Sequence, residues 1–127
     1  MDEFEVARKE VLEQFLEENT QLLCEGNIAE VEKSIRYIEV ERSGLGFSDC
    51  VSELKRCLLE RLIKVEEIDA IVTMIEQMEM EEILYEMEPK RYPVLKRVVE
   101  RLDWSIWSDF DANLEFVRWM QVVTEEN

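Results

Sequence analysis

Gly26-Asn27-Ile28-Ala29-Glu30-Val31-Glu32-Lys33-Ser34-Ile35-Arg36-Tyr37-Ile38 holds a helix stop, a helix start and an apolar stripe within thirteen residues. Gly26 supplies the stop, because glycine enters the left-handed backbone region without steric cost. Asn27 has the side-chain oxygen that accepts orphan amides at a helix start, and Glu30 stands at the third helical position, where a carboxylate completes a capping arrangement. Ile28, Val31, Ile35 and Ile38 then recur at helical spacing, with charged residues between them.

The same pattern extends in both directions. Upstream, Phe4, Val6, Ala7, Val11, Leu12, Phe15, Leu16, Leu22 and Leu23 describe a first helix with Glu and Lys on its other face. Downstream, Ser43-Gly44-Leu45-Gly46-Phe47 interrupts it. Gly44-x-Gly46 lacks the third glycine, the preceding strand and the Lys-Ser/Thr ending of a phosphate loop, so it reads as a turn between helices. Ser48 or Asp49 can cap a third helix with the stripe Val51, Leu54, Leu58 and Leu62. Around Ile63-Lys64-Val65 the register shifts without Gly or Pro. A tight turn is expected there, before Ile68, Ile71, Val72 and Ile75, since an unbroken helix from Ser48 to Met78 would be long for a domain of this size. A stretch from Met80 to Met87 ends at Pro89. Pro93 takes a helix-start position ahead of Val94, Leu95, Val98, Val99 and Leu102. Ser105 to Ser108 looks like a break, and Ser108 with Asp111 resembles the cap of a last helix carrying Phe110, Leu114, Val117 and Val123. Three glycines and two prolines in 127 residues agree with this reading. The expected fold is all-α: a compact bundle of six or seven short to medium helices, compatible with stacked helical pairs, forming a single domain over 1–127.

Charge bounds the function. Asp and Glu number 31 against 15 Lys and Arg, a formal net charge of −16. Affinity for nucleic-acid phosphates comes from Lys and Arg displacing counterions, so direct nucleic-acid binding is disfavoured, and an anionic membrane surface is disfavoured for the same reason. There is no histidine, which removes the usual general base and the commonest zinc ligand. Cys24, Cys50 and Cys57 form no CxxC pair and read as reduced, mostly buried thiols. No cofactor and no metal is expected. The acidic start Met1-Asp2-Glu3-Phe4-Glu5 is unlike a secretory leader, and no apolar run approaches the length of a membrane span, so an intracellular location, cytoplasmic or nuclear, is expected.

The acids are unevenly placed. Residues 1–26 carry eight acids and two bases; residues 64–89 carry nine and one; residues 90–103 carry two and five. The 64–89 block also contains Met74, Met78, Met80 and Met87. Methionine is deformable and polarisable, so a Met-lined surface with an acidic rim suits a basic helix or peptide. On this reading Glu76, Glu79, Glu81, Glu82 and Glu86 are the acidic contacts of a partner. Met78, Met80 and Met87, with Trp104 and Trp107 near the expected helix break, are the apolar ones. Two plainer accounts compete: methionines at helical spacing fill a core, and the acidic block faces the basic run Lys90, Arg91, Lys96, Arg97 and Arg101 across a helical hairpin.

Carboxylates alone can support chemistry if they hold magnesium. All-α nucleotide pyrophosphohydrolases use EExxE followed by ExxD on a second helix, a set of hard oxygen ligands. Here Glu81-Glu82 is followed by Tyr85 where the third ligand belongs; Glu86 is one place late, and Glu100-Arg101-Leu102-Asp103 supplies the second half. One residue rotates a helical ligand by about 100 degrees, off the shared face. The expected function is therefore a non-catalytic protein–protein interaction module, an adaptor or regulatory subunit. It presents an acidic, Met- and aromatic-lined surface to a basic protein segment. The alternatives are an acidic inhibitor that imitates nucleic-acid charge, of the immunity, antitoxin or anti-restriction type, and a Mg-dependent nucleotide hydrolase.

Overall fold

The computed structural model describes residues 2–41, 44, 51–78, 80–88, 91–102, 118–119 and 121–123; the side chains of Glu81, Glu82 and Tyr85 lie outside that description. Among the described residues there are six helices of six or more residues and no strand. They are α1 (Glu3–Cys24), α2 (Ile28–Glu41), α3 (Val51–Lys64), α4 (Ile68–Gln77), α5 (Glu81–Glu86) and α6 (Val94–Arg101). The chain is all-α, as its periodicity implies. None of the described helices is long and apolar enough to cross a membrane. The Gly44-x-Gly46 turn, apart from Gly44, and the capped last helix at Ser108 lie outside the described residues.

Local chemistry accounts for the element boundaries. Asp2 caps α1, its carboxylate accepting from the Glu5 amide at 2.8 Å. At the other end the Asn27 amide bonds the Leu22 carbonyl at 2.9 Å and the Gly26 amide bonds that of Leu23 at 3.1 Å, with Gly26 at φ +80. That is a Schellman closure, and α2 starts directly after it. The end of α3 repeats the geometry. The Glu67 amide bonds the Leu62 carbonyl at 3.2 Å and the Glu66 amide that of Ile63 at 3.1 Å. Here the left-handed position is taken by Glu66, at φ 56. The turn expected between Ile63 and Ile68 therefore exists, closed by a residue type that carries no turn signal. Lys55 ends α4 from outside, its Nζ donating to the Met78 carbonyl at 2.7 Å, a cation at the negative end of a helix.

The helices share one core. α1 packs on α2, α3 and α4, α3 joins α2 and α4, and α6 lies against α4. Leu23, Val31, Leu58, Leu59, Leu62, Ile71, Met74, Ile75, Leu84, Leu95 and Val98 are among its buried members. Trp119 is buried on it, its Nε1 donating to the Met87 carbonyl at 2.9 Å. α1 and α2 form an antiparallel hairpin of unequal arms, 22 residues against 14, a difference of about 12 Å at 1.5 Å per residue. The first turns of α1 thus run on past the end of α2, and Phe4 there is 49% exposed.

Candidate interaction surface

The methionines expected at a surface are in the core. Met78, Met80 and Met87 are 2%, 0% and 5% exposed, joined to the same cluster as Met74. This corrects the expectation of a Met-lined docking face. The apolar side of α4 and the ends of α5 turn inward, and unbranched methionine fills the gaps between helices that meet irregularly. Trp104, Trp107 and Glu79 lie outside the described residues, as do the side chains of Glu81 and Glu82. Glu76 is half-buried and Glu86 is exposed.

Three carboxylates of the acidic block are met by arginines from within the fold. Arg97 Nη2 lies 3.6 Å from Glu66 Oε1, Arg101 pairs with Asp69, and Arg56 of α3 pairs with Glu86 of α5. The first two pairs join α6 to α4 and to the turn before it, which is the facing of acidic and basic runs that their order along the chain suggested. Of the hydrolase set, Glu86 and Glu100 are exposed, on α5 and α6, and Asp103 is outside the described residues. Among the described residues no three carboxylates or thiols come together as metal ligands.

The thiols sit in surroundings that disfavour the thiolate. Cys24 is exposed and Cys57 half-buried, so the expectation of mostly buried cysteines fails at Cys24; Cys50 lies outside the described residues. Partial desolvation pushes the Cys24 thiol up, and the Glu67 and Glu25 carboxylates add to it. Burial raises Cys57 as well, reinforced by Glu60 and Glu53 and partly opposed by Arg56 and Arg61. Nothing at either site makes a nucleophile.

A different surface emerges on the hairpin. α1 carries Glu3, Glu10, Glu17 and Glu18 on its outer side, and none of them has an ion pair among the described residues. Glu18 accepts a hydrogen bond from Gln14 Nε2 at 3.1 Å, and Glu13, further round, is bound to a base, Arg61 of α3, at 2.7 Å. Beside this acidic stripe runs a cleft of about 500 Å³ between α1 and α2. Val11, Phe15 and Ile38 give it apolar walls, with Tyr37 at its edge. Tyr37 and Val40, 54% and 62% exposed, continue outward over α2 beside Lys33 and Arg36. Asn19, 1% exposed, also lines the cleft. Its Nδ2 donates to the Phe15 carbonyl at 2.8 Å, and its Oδ1 has no partner among the described residues. An unsatisfied buried acceptor costs about 1–3 kcal/mol, so it marks a place where the fold is not optimised for stability alone.

Tyr37, Val40 and Asn19 did not figure in the sequence reading, yet each leaves a trace there. Tyr37 and Val40 are apolar residues off the stripe of α2, one place before and two places after Ile38, and Asn19 is a polar residue on the stripe of α1, four places after Phe15 and four before Leu23. No protein-family model, no curated protein and no solved structure matches this chain.

Proposed function

We propose that the chain is a non-catalytic interaction module, an adaptor or regulatory subunit, that binds a basic segment of a partner protein through the α1–α2 hairpin. One observation carries this reading: the distribution of compensated and uncompensated carboxylates. In the 64–89 block, Glu66, Asp69 and Glu86 are engaged by Arg97, Arg101 and Arg56, with Glu67 and Glu88 exposed and without a described base, whereas on α1 four carboxylates, Glu3, Glu10, Glu17 and Glu18, face outward without one. Unpaired charge of one sign on a single helix face steers a basic partner and speeds encounter, more than it adds final affinity. The imitation of nucleic acid is less well supported. It needs an unbroken anionic face, and the neighbouring outer face of α2 carries Lys33 and Arg36 beside exposed Tyr37 and Val40.

Affinity capture from a native cell extract at two salt concentrations tests the reading. The expected result is a basic protein held at low salt, released at high salt and captured in smaller amount when Glu3, Glu10 and Glu17 are replaced by Gln. Identical capture by the native and substituted chains at both salt concentrations would contradict it.

A further inference from the structure

Resting on the interaction reading above, we propose that the α1–α2 cleft is the docking groove and that its occupant is a basic amphipathic helix of a partner protein. The occupant seats an apolar anchor against Val11 and Tyr37 and sets its basic flank along the carboxylates of α1. The groove has room for about two turns of a helix. On α1 it is lined from Val11 to Asn19, a stretch of about 12 Å, and Phe4 and Ala7 lie on the same face of α1 beyond it. Val11, Phe15 and Ile38 give the cleft its apolar part and Gln14, Glu18 and Ser34 part of its polar rim, and Phe4, further along the same face of α1, is exposed.

Charge complementarity selects the partner. Glu3, Glu10 and Glu17 recur every seven residues along one flank, so a helix laid beside α1 meets a carboxylate every two turns. The opposite wall is mixed: Glu30 is engaged by Lys33 at 3.3 Å, and Arg36 stands beside it. Only one flank of the occupant therefore needs to be basic, which fits an amphipathic helix better than a uniformly basic tail. A second copy of this chain is a poor occupant, because it would bring its own acidic stripe against this one. Asn19 supplies the independent polar feature. It is buried on the cleft with an unused acceptor, and a side-chain donor from an inserted helix, such as a Lys, Arg or Gln, completes it.

The test uses the full chain and fluorescein-labelled eighteen-residue peptides read by fluorescence anisotropy. One peptide is a Leu/Lys amphipathic helix, one has the same composition with the apolar stripe scrambled, and one is a Leu/Glu helix. The amphipathic basic peptide is expected to saturate, at least tenfold tighter than its scrambled form, with no binding of the Leu/Glu helix. Tyr37→Ser and Asn19→Leu should each weaken it about tenfold while both variants still melt cooperatively, and Val65→Ser, on the exposed turn after α3, should leave it unchanged. Equal binding of the scrambled peptide, insensitive to Tyr37→Ser, would overturn the groove and leave a charge-only interaction standing. If no basic peptide binds in a salt-sensitive way, both the groove and the interaction reading fall.

Discussion

Replacing Glu66 with Gly should stabilise the protein, although it deletes an ion pair. Glu66 holds φ 56 at the position of the α3 closure that corresponds to Gly26 after α1. A left-handed conformation costs a residue with a Cβ about 1–2 kcal/mol, and glycine escapes that cost. The opposing loss is the contact to Arg97 at 3.6 Å, between side chains 56% and 65% exposed; solvent screening holds such a pair to about 0–0.5 kcal/mol. Extra backbone freedom in the unfolded chain takes back a few tenths more. The net expectation is a gain of about 0.5–1 kcal/mol, a rise of roughly 2–4 °C in Tm by calorimetry. Two companions separate the causes. Glu66→Ala keeps the strain and loses the pair, so its Tm should be equal to or slightly below the native value. Arg97→Gln loses only the pair and should behave alike. A Glu66→Gly protein melting below Glu66→Ala would refute the assignment of strain to this turn.

Asn19→Leu should raise Tm by roughly 4–8 °C, since it removes a buried acceptor without a partner and replaces it with a side chain of similar volume on the apolar stripe. A fall in Tm would show that the side chain holds the fold together. Leu58→Ala, at a fully buried position on α3, should cost about 3 kcal/mol, seen as a lower urea midpoint with an unchanged slope; a loss under 1 kcal/mol would place Leu58 outside the core. Alkylation of Cys24 by iodoacetamide should be slower than that of free cysteine at pH 8 and should rise steeply only above the usual thiol range. The raised value means less thiolate at a given pH, and salt, by screening Glu67 and Glu25, should speed the reaction modestly. Fast alkylation at pH 7 would contradict that environment. The same sign applies to stability. A thiol whose folded value is raised contributes below about pH 8.5, and that contribution is lost as pH rises through the folded value.

The helices were legible because their signals are local. The Gly26-Asn27 stop, the stripe of α2 and Pro93 ahead of α6 act within a few residues, and the structure places boundaries at or next to each of them. The turn after α3 was visible only as a register shift, because Glu66 occupies a position that glycine normally announces. The methionines misled for a different reason. A helical period identifies an apolar face and does not say whether that face meets another helix of the same chain or a partner, so Met78, Met80 and Met87 fit either account until their burial was known. Charge was legible as a sum but not as a surface. Pairing of Asp69 with Arg101 and of Glu86 with Arg56 depends on helices brought together by packing, which a sum of charges does not carry. Tyr37, Val40 and Asn19 were visible as residues on the wrong face, a signal that gains meaning only once a cleft lies beside them.

The most direct test of the central claim is the association rate of a basic amphipathic helix with the native chain and with the Glu10→Gln, Glu17→Gln, Glu18→Gln triple variant, measured by stopped flow over a series of salt concentrations. The α1 surface predicts an on-rate several-fold lower for the variant at low salt, a shallower salt dependence, and convergence of the two at high salt. Equal on-rates with equal salt slopes would contradict it and assign the carboxylates of α1 to solubility alone.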